Sequence, residues 1–98
     1  MRVLSKSTLR DFWEVYTDAE QDLRTWYKEF LEADYETPNE VIADYPTADI
    51  VGNGRVVFNI CHNKYRLIAF IHYEKHTVLV RFIGTHKEYD KIKDIKNI

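Results

Sequence analysis

Between Arg55 and Ile83 lie three runs of β-branched and aromatic residues, Arg55–Cys61, Lys64–Tyr73 and Thr77–Ile83, with His62-Asn63 and Lys75-His76 as the expected two-residue connections. Connections that short make neighbouring strands antiparallel and fix their register. With two-residue loops, Asn59 faces Arg66 and Val57 faces Ile68; in the next hairpin His72 faces Leu79 and Phe70 faces Arg81. The side chains then divide between two faces. One carries Val56, Phe58, Ile60, Tyr65, Leu67, Ala69, Ile71, Tyr73, Val78, Val80 and Phe82, all apolar or aromatic. The other carries Arg55, Val57, Asn59, Cys61, Lys64, Arg66, Ile68, Phe70, His72, Leu79, Arg81 and Ile83, and its only charges are positive.

The apolar face needs a cover, and the N-terminal half supplies one. Leu9, Phe12, Trp13 and Tyr16 recur at helical spacing, with Ser5 or Ser7 as cap. Asp18 followed by Gln21, and Thr17 followed by Glu20, fit a capping box for a second helix. That helix reaches about Ala33, with Ala19, Leu23, Trp26, Tyr27, Phe30 and Leu31 in one stripe. Thr37-Pro38-Asn39-Glu40 starts a third, which Pro46 stops, and Asn53-Gly54 signals a turn. Arg2 to Leu4 fits a short first strand. The expectation is an α+β fold in one domain over residues 1–98: an antiparallel sheet with an N-terminal helical hairpin packed on one face.

Charge follows the same division. Residues 1–53 hold five Lys/Arg against twelve Asp/Glu, whereas residues 54–98 hold nine against four. On a solvent face, opposite charges across strands usually help one another. Arg55, Arg66 and Arg81 find no acid on theirs and repel one another until an anion arrives. Cys61 is the one cysteine, so no internal disulfide forms and a reducing cytoplasm is expected; it reads as a small, half-buried apolar residue. No apolar run is long enough for a membrane span, and neither HxxxH nor CxxC spacing suggests a metal site. No cofactor is expected.

Guanidinium groups in a shallow groove suit phosphates, because they offer paired donors and stay charged. Metal-free RNA cleavage needs a base for the 2′-hydroxyl proton, cations for the five-coordinate phosphorus and an acid for the leaving 5′-oxygen. His86, just past the last strand beside Gly84, is the candidate acid or base. Arg81 lies on that strand and Arg66 on its neighbour; Tyr89 is placed to stack on a base or bond a phosphate. Each has a plainer role open to it. His86 could be a surface loop residue, Tyr89 could pack with Ile92 in a terminal helix, and either arginine could pair with a helix carboxylate.

Several segments together resemble a known family. They are Arg2-Val3-Leu4-Ser5, Leu9-Arg10-Asp11-Phe12-Trp13, Asp18-Ala19-Glu20-Gln21, Trp26-Tyr27-Lys28 and Ala48-Asp49-Ile50-Val51-Gly52-Asn53. Arg55-Val56-Val57-Phe58-Asn59-Ile60, Asn63-Lys64-Tyr65-Arg66-Leu67 and Gly84-Thr85-His86-Lys87-Glu88-Tyr89-Asp90 follow in order. The chain resembles the HigB toxins of the RelE-like group along nearly its whole length. The Asn-x-x-Arg and Thr-His-x-Glu-Tyr-Asp segments are the most specific. The resemblance implies a type II toxin that cleaves mRNA on translating ribosomes, a helix-turn-helix antitoxin of the HigA kind, and contact with operator DNA only through that antitoxin. It places family site residues on Arg66, Arg81, His86 and Tyr89, with Asn63 and Lys64 contributing. Arg55, Asn59 and Lys87 join them as expected RNA contacts. The alternative is a non-catalytic module that binds antitoxin or RNA on the same face and acts in operon autoregulation.

Overall fold

A computed structural model describes all residues, 1–98. In chain order the elements are β1 (Arg2–Leu4), α1 (Lys6–Val15), a 3-10 turn (Thr17–Ala19), α2 (Glu20–Glu32), α3 (Pro38–Asp44), β2 (Asp49–Gly52), β3 (Arg55–Ile60), β4 (Tyr65–His72), β5 (Thr77–Thr85) and α4 (His86–Asp90). One five-stranded sheet runs in the order β1-β5-β4-β3-β2, antiparallel except for β1, which lies parallel to β5. The sequence reading gave the three central strands. It did not anticipate β2, which Asn53 and Gly54, both at positive φ, fold back onto β3.

The α1–α2 hairpin and α3 cover one face. Leu9, Trp13, Leu23, Trp26, Phe30 and Val41 pack there against Val56, Phe58, Ile60, Tyr65, Leu67, Ala69, Ile71, Val78 and Val80. Burying one such side chain is worth about 1.5–3 kcal/mol, so this face supplies most of the driving force for folding. No helix is long and apolar enough to cross a membrane.

Two of the expected helix caps are absent. Ser5 stands at the start of α1 in the left-handed region without a side-chain capping bond, and α2 begins after Ala19, also uncapped. Asp18 is used elsewhere. Its carboxylate accepts from the Tyr65 hydroxyl at 2.6 Å and pairs with Lys64, tying the turn before α2 to the start of β4. Thr37 does cap α3, accepting from the Glu40 amide at 3.4 Å.

The register holds in the first hairpin, with Asn59 opposite Arg66 and Val57 opposite Ile68. The second hairpin departs from expectation twice. Its turn spans Tyr73–His76, so Phe70 faces Leu79 and His72 faces Thr77, a slip of two residues that leaves the faces unchanged. Then Ala69 pairs with Val80 but Ile68 with Phe82, which leaves Arg81 as one extra residue in β5. Such a bulge reverses the alternation beyond it. Ile83 therefore packs against the core and Phe82 moves to the basic face, the opposite of the sequence assignment.

Candidate active site

Four of the expected residues meet at one end of the basic face. Asn63 comes from the β3–β4 turn, where Cys61 and His62 take positive φ. Arg66 is on β4, opposite Gly84. His86 and Tyr89 lie one turn apart on α4, which β5 leads into directly. A Thr85–Glu88 capping box starts this helix: Thr85 Oγ1 accepts from the Glu88 amide at 3.2 Å, and Glu88 Oε1 accepts from the Thr85 amide at 2.9 Å. The Thr-x-x-Glu signal for it was present in the sequence, and it makes His86 the first residue of a helix instead of a loop residue.

Arg66 touches each of the other three side chains. His86 Nε2 is 3.0 Å from Asn63 Oδ1 and 3.4 Å from Arg66 Nε. Arg66 Nη2 donates to the same Asn63 oxygen at 3.4 Å. The Arg66 guanidinium lies over the Tyr89 ring, 5.0 Å from its centroid, and the Phe82 ring sits tilted beside Tyr89 with 6.4 Å between ring centroids. The tautomer with hydrogen on Nε2 donates to Asn63; the tautomer with hydrogen on Nδ1 accepts at Nε2 from Arg66. Arg66 has no carboxylate partner, so its charge is free for an incoming anion.

Gly84 makes this packing possible. A Cβ there would lie 2.6 Å from the tip of the Phe82 ring and 3.0 Å from Glu88 Oε1. The bulge at Arg81 turns Phe82 and Gly84 to this face, which is why sequence reasoning missed Phe82 as part of the site.

The remaining expected residues lie apart. Arg81 and Arg55 do not reach His86; both hold the backbone oxygen of Ile98, at 3.1 Å from Arg81 Nε and 2.7 Å from Arg55 Nη2. The Lys64 ammonium is paired with Asp18 and is not a free cation, contrary to expectation. That pairing holds the Asp18 carboxyl below its usual range, first through the Lys64 hydrogen bond and then through Tyr65. Asn59 donates to the Thr47 carbonyl at 3.3 Å and lines a cleft beside α2. Lys87 is exposed on α4 without a polar partner. Burial, reinforced by Asp22 and Asp18, pushes the Cys61 thiol up, as suits a half-buried inert cysteine. No His/Cys/Asp/Glu group is arranged to hold a metal ion.

Comparison with known proteins points the same way. Residues 19–92 match the profile of the HigB toxin family, described as the RelE-like toxic component of a toxin–antitoxin system. The mRNA interferase HigB of Escherichia coli O6:H1 is 29% identical over 94 residues, covering 94% of this chain and 91% of that protein. The mRNA interferase toxin HigB of Escherichia coli K12 is 26% identical over 92 residues, covering 92% of this chain and 88% of the relative.

Proposed function

This chain belongs to the HigB family of RelE-like toxins, and we propose that it is a metal-independent endoribonuclease that cleaves mRNA on translating ribosomes. The observation that carries the proposal is the convergence of Asn63, Arg66, His86 and Tyr89 on a face with unpaired positive charge. The guanidinium of Arg66 holds the scissile phosphate and takes up the charge that grows on its equatorial oxygens. Tyr89, propped by Phe82, keeps that guanidinium in place and offers a ring or hydroxyl to the neighbouring nucleotide. The 2′-oxygen attacks phosphorus as its proton is removed, and the bond to the 5′-oxygen breaks as that oxygen is protonated. His86 performs one of these two transfers, with Asn63 orienting the ring. Asn59, Lys87, Arg55 and Arg81 are secondary contacts along the RNA. The partner is an antitoxin of the HigA kind with a helix-turn-helix domain, through which the pair reaches operator DNA, and the toxin works in the cytoplasm.

Induced expression of the wild type, His86→Ala and Arg66→Ala tests this, with growth and primer extension on translated messages as readouts. Wild type should arrest growth and cut; His86→Ala should lose about 10²- to 10⁴-fold in cleavage. A wild type that neither arrests growth nor cuts translated RNA removes the enzyme reading and leaves the non-catalytic binding module. Variants that cut as well as wild type remove the site assignment.

A further inference from the structure

The residues after α4 run back across the basic face. The Lys96 side chain lies beside Gly52, where an added Cβ would sit 3.6 Å from Lys96 Cδ. Asn97 Oδ1 accepts from Asn53 Nδ2 at 3.2 Å, and the Ile98 backbone oxygen accepts from both Arg55 and Arg81. Val57 and Ile68, on this same face, are buried without belonging to the main core. The Arg55 guanidinium stacks over Phe70, 4.6 Å from the ring centroid, while its Nε is buried with no partner. Two arginines, neither paired with a carboxylate side chain, thus grip one main-chain oxygen above an aromatic ring. That oxygen fills the position that a phosphate oxygen would take.

We propose that Arg55 and Arg81 form a second phosphate site for RNA, and that residues 96–98 are a strap which closes this site in the free protein. The inference rests on the RNA-cleaving reading and adds regulation to it. Arg55 aligns with Phe70, four residues along β4 from Arg66. At about 3.3 Å per residue the two sites lie roughly 13 Å apart along one face, within reach of a short single strand. RNA held at Arg66 extends onto Arg55 and Arg81 once the strap lifts, so the strap weakens capture of RNA that cannot displace it.

The test measures binding of a 2′-O-methyl RNA oligonucleotide, which cannot be cleaved by 2′-oxygen attack, across a salt series. The proteins compared are wild type, a chain stopped after Ile95, full-length Asn53→Gly, and the stopped chain carrying Arg55→Ala and Arg81→Ala. Stopping the chain should tighten binding roughly tenfold. It should also steepen the dependence of log K on log salt by roughly 0.7 for each newly contacted phosphate. Asn53→Gly keeps the left-handed turn and frees Asn97, so it should give a smaller gain and serves if the stopped chain does not fold. Adding the two alanines should cancel the gain. Unchanged affinity in a folded stopped chain or, failing that, in Asn53→Gly overturns the strap, as does a gain that survives both alanines. The readout is binding alone, so loss of the cleavage proposal would not alter it, and an inert strap would leave the His86 variants unaffected.

Discussion

Gly84→Ala tests how α4 is set on the sheet. Gly84 has an ordinary strand backbone, so alanine costs nothing in φ; the cost lies in its methyl. That methyl would sit 2.6 Å from the Phe82 ring and 3.0 Å from the Glu88 oxygen of the capping box. The ring is rigid and must shift from its place beside Tyr89, and Glu88 must loosen its bond to the Thr85 amide. Overpacking costs about 1–3 kcal/mol and a weakened cap about 1 kcal/mol. With some relaxation the sum is about 2 kcal/mol, or a Tm lower by roughly 10 °C for a domain of this size. Urea unfolding with an unchanged m-value would measure it. A double-mutant cycle isolates the cause. Phe82→Leu alone loses ring packing, but in the Gly84→Ala background it also makes room for the methyl. The two changes should therefore sum to less than their separate costs, by about 1 kcal/mol. Cleavage should fall along with stability in Gly84→Ala, because Tyr89 leaves the Arg66 guanidinium. Stability within about 0.5 kcal/mol of wild type, or strict additivity with Phe82→Leu, would refute the packing argument.

Other outcomes follow from single contacts. Arg66→Lys keeps the charge but loses the paired donors and the stack on Tyr89, so cleavage rate should fall about 10²-fold with Tm nearly unchanged. Burial, and then hydrogen bonds to Asp44 and Glu29, raise the hydroxyls of Tyr35 and Tyr45 above the usual tyrosine range. Their contribution to stability is complete below the unfolded value of about 10 and is lost as pH rises beyond it. Denaturant midpoints from pH 8 to 11 should fall in wild type, and less so in Tyr45→Phe. Asp18 behaves in the opposite sense: its carboxyl is lowered by Lys64 and then Tyr65, so its contribution is present above about pH 4 and lost as pH falls through the folded value. An acid titration followed by circular dichroism should show a shallower loss of structure in Asp18→Asn than in wild type.

The parts of the fold legible in the sequence are those that rest on a short-range pattern. Loops of a few residues fixed the β3–β4 register, and period-two alternation sorted the core face correctly up to Val80. Helical stripes placed α1 and α2 to within a few residues. Where reading failed, two uses competed for the same residues. Asp18 looked like a helix cap, but Lys64 and Tyr65, forty-odd residues on, take its carboxylate. Ile50 and Val51 carried too short a run to announce β2, which forms because the Asn53-Gly54 turn returns it to β3. No rule of local propensity marks Arg81 as an extra residue, since a bulge is settled by packing on both sides of the strand.

That bulge explains why four of the expected residues come together while Arg81 lies apart. Without it, Phe82 would point into the helices and Gly84 would lie on the core side, carrying α4 away from Arg66. With it, the last residues of β5 present Gly84 to Arg66, and the capping box turns the chain so that His86 and Tyr89 come down on either side of that guanidinium. Arg81 itself falls outside the ladder, and its side chain goes to the Ile98 oxygen alongside Arg55. One inserted residue thus divides a basic face into two centres: Arg66 with a proton-transfer group, and Arg55 with Arg81 on an anion-like oxygen. Residues 54–98 carry an excess of cations, and both centres stand without carboxylate side-chain partners, while carboxylates of the acidic half pair within α1 and α2, with tyrosine hydroxyls and with Lys64.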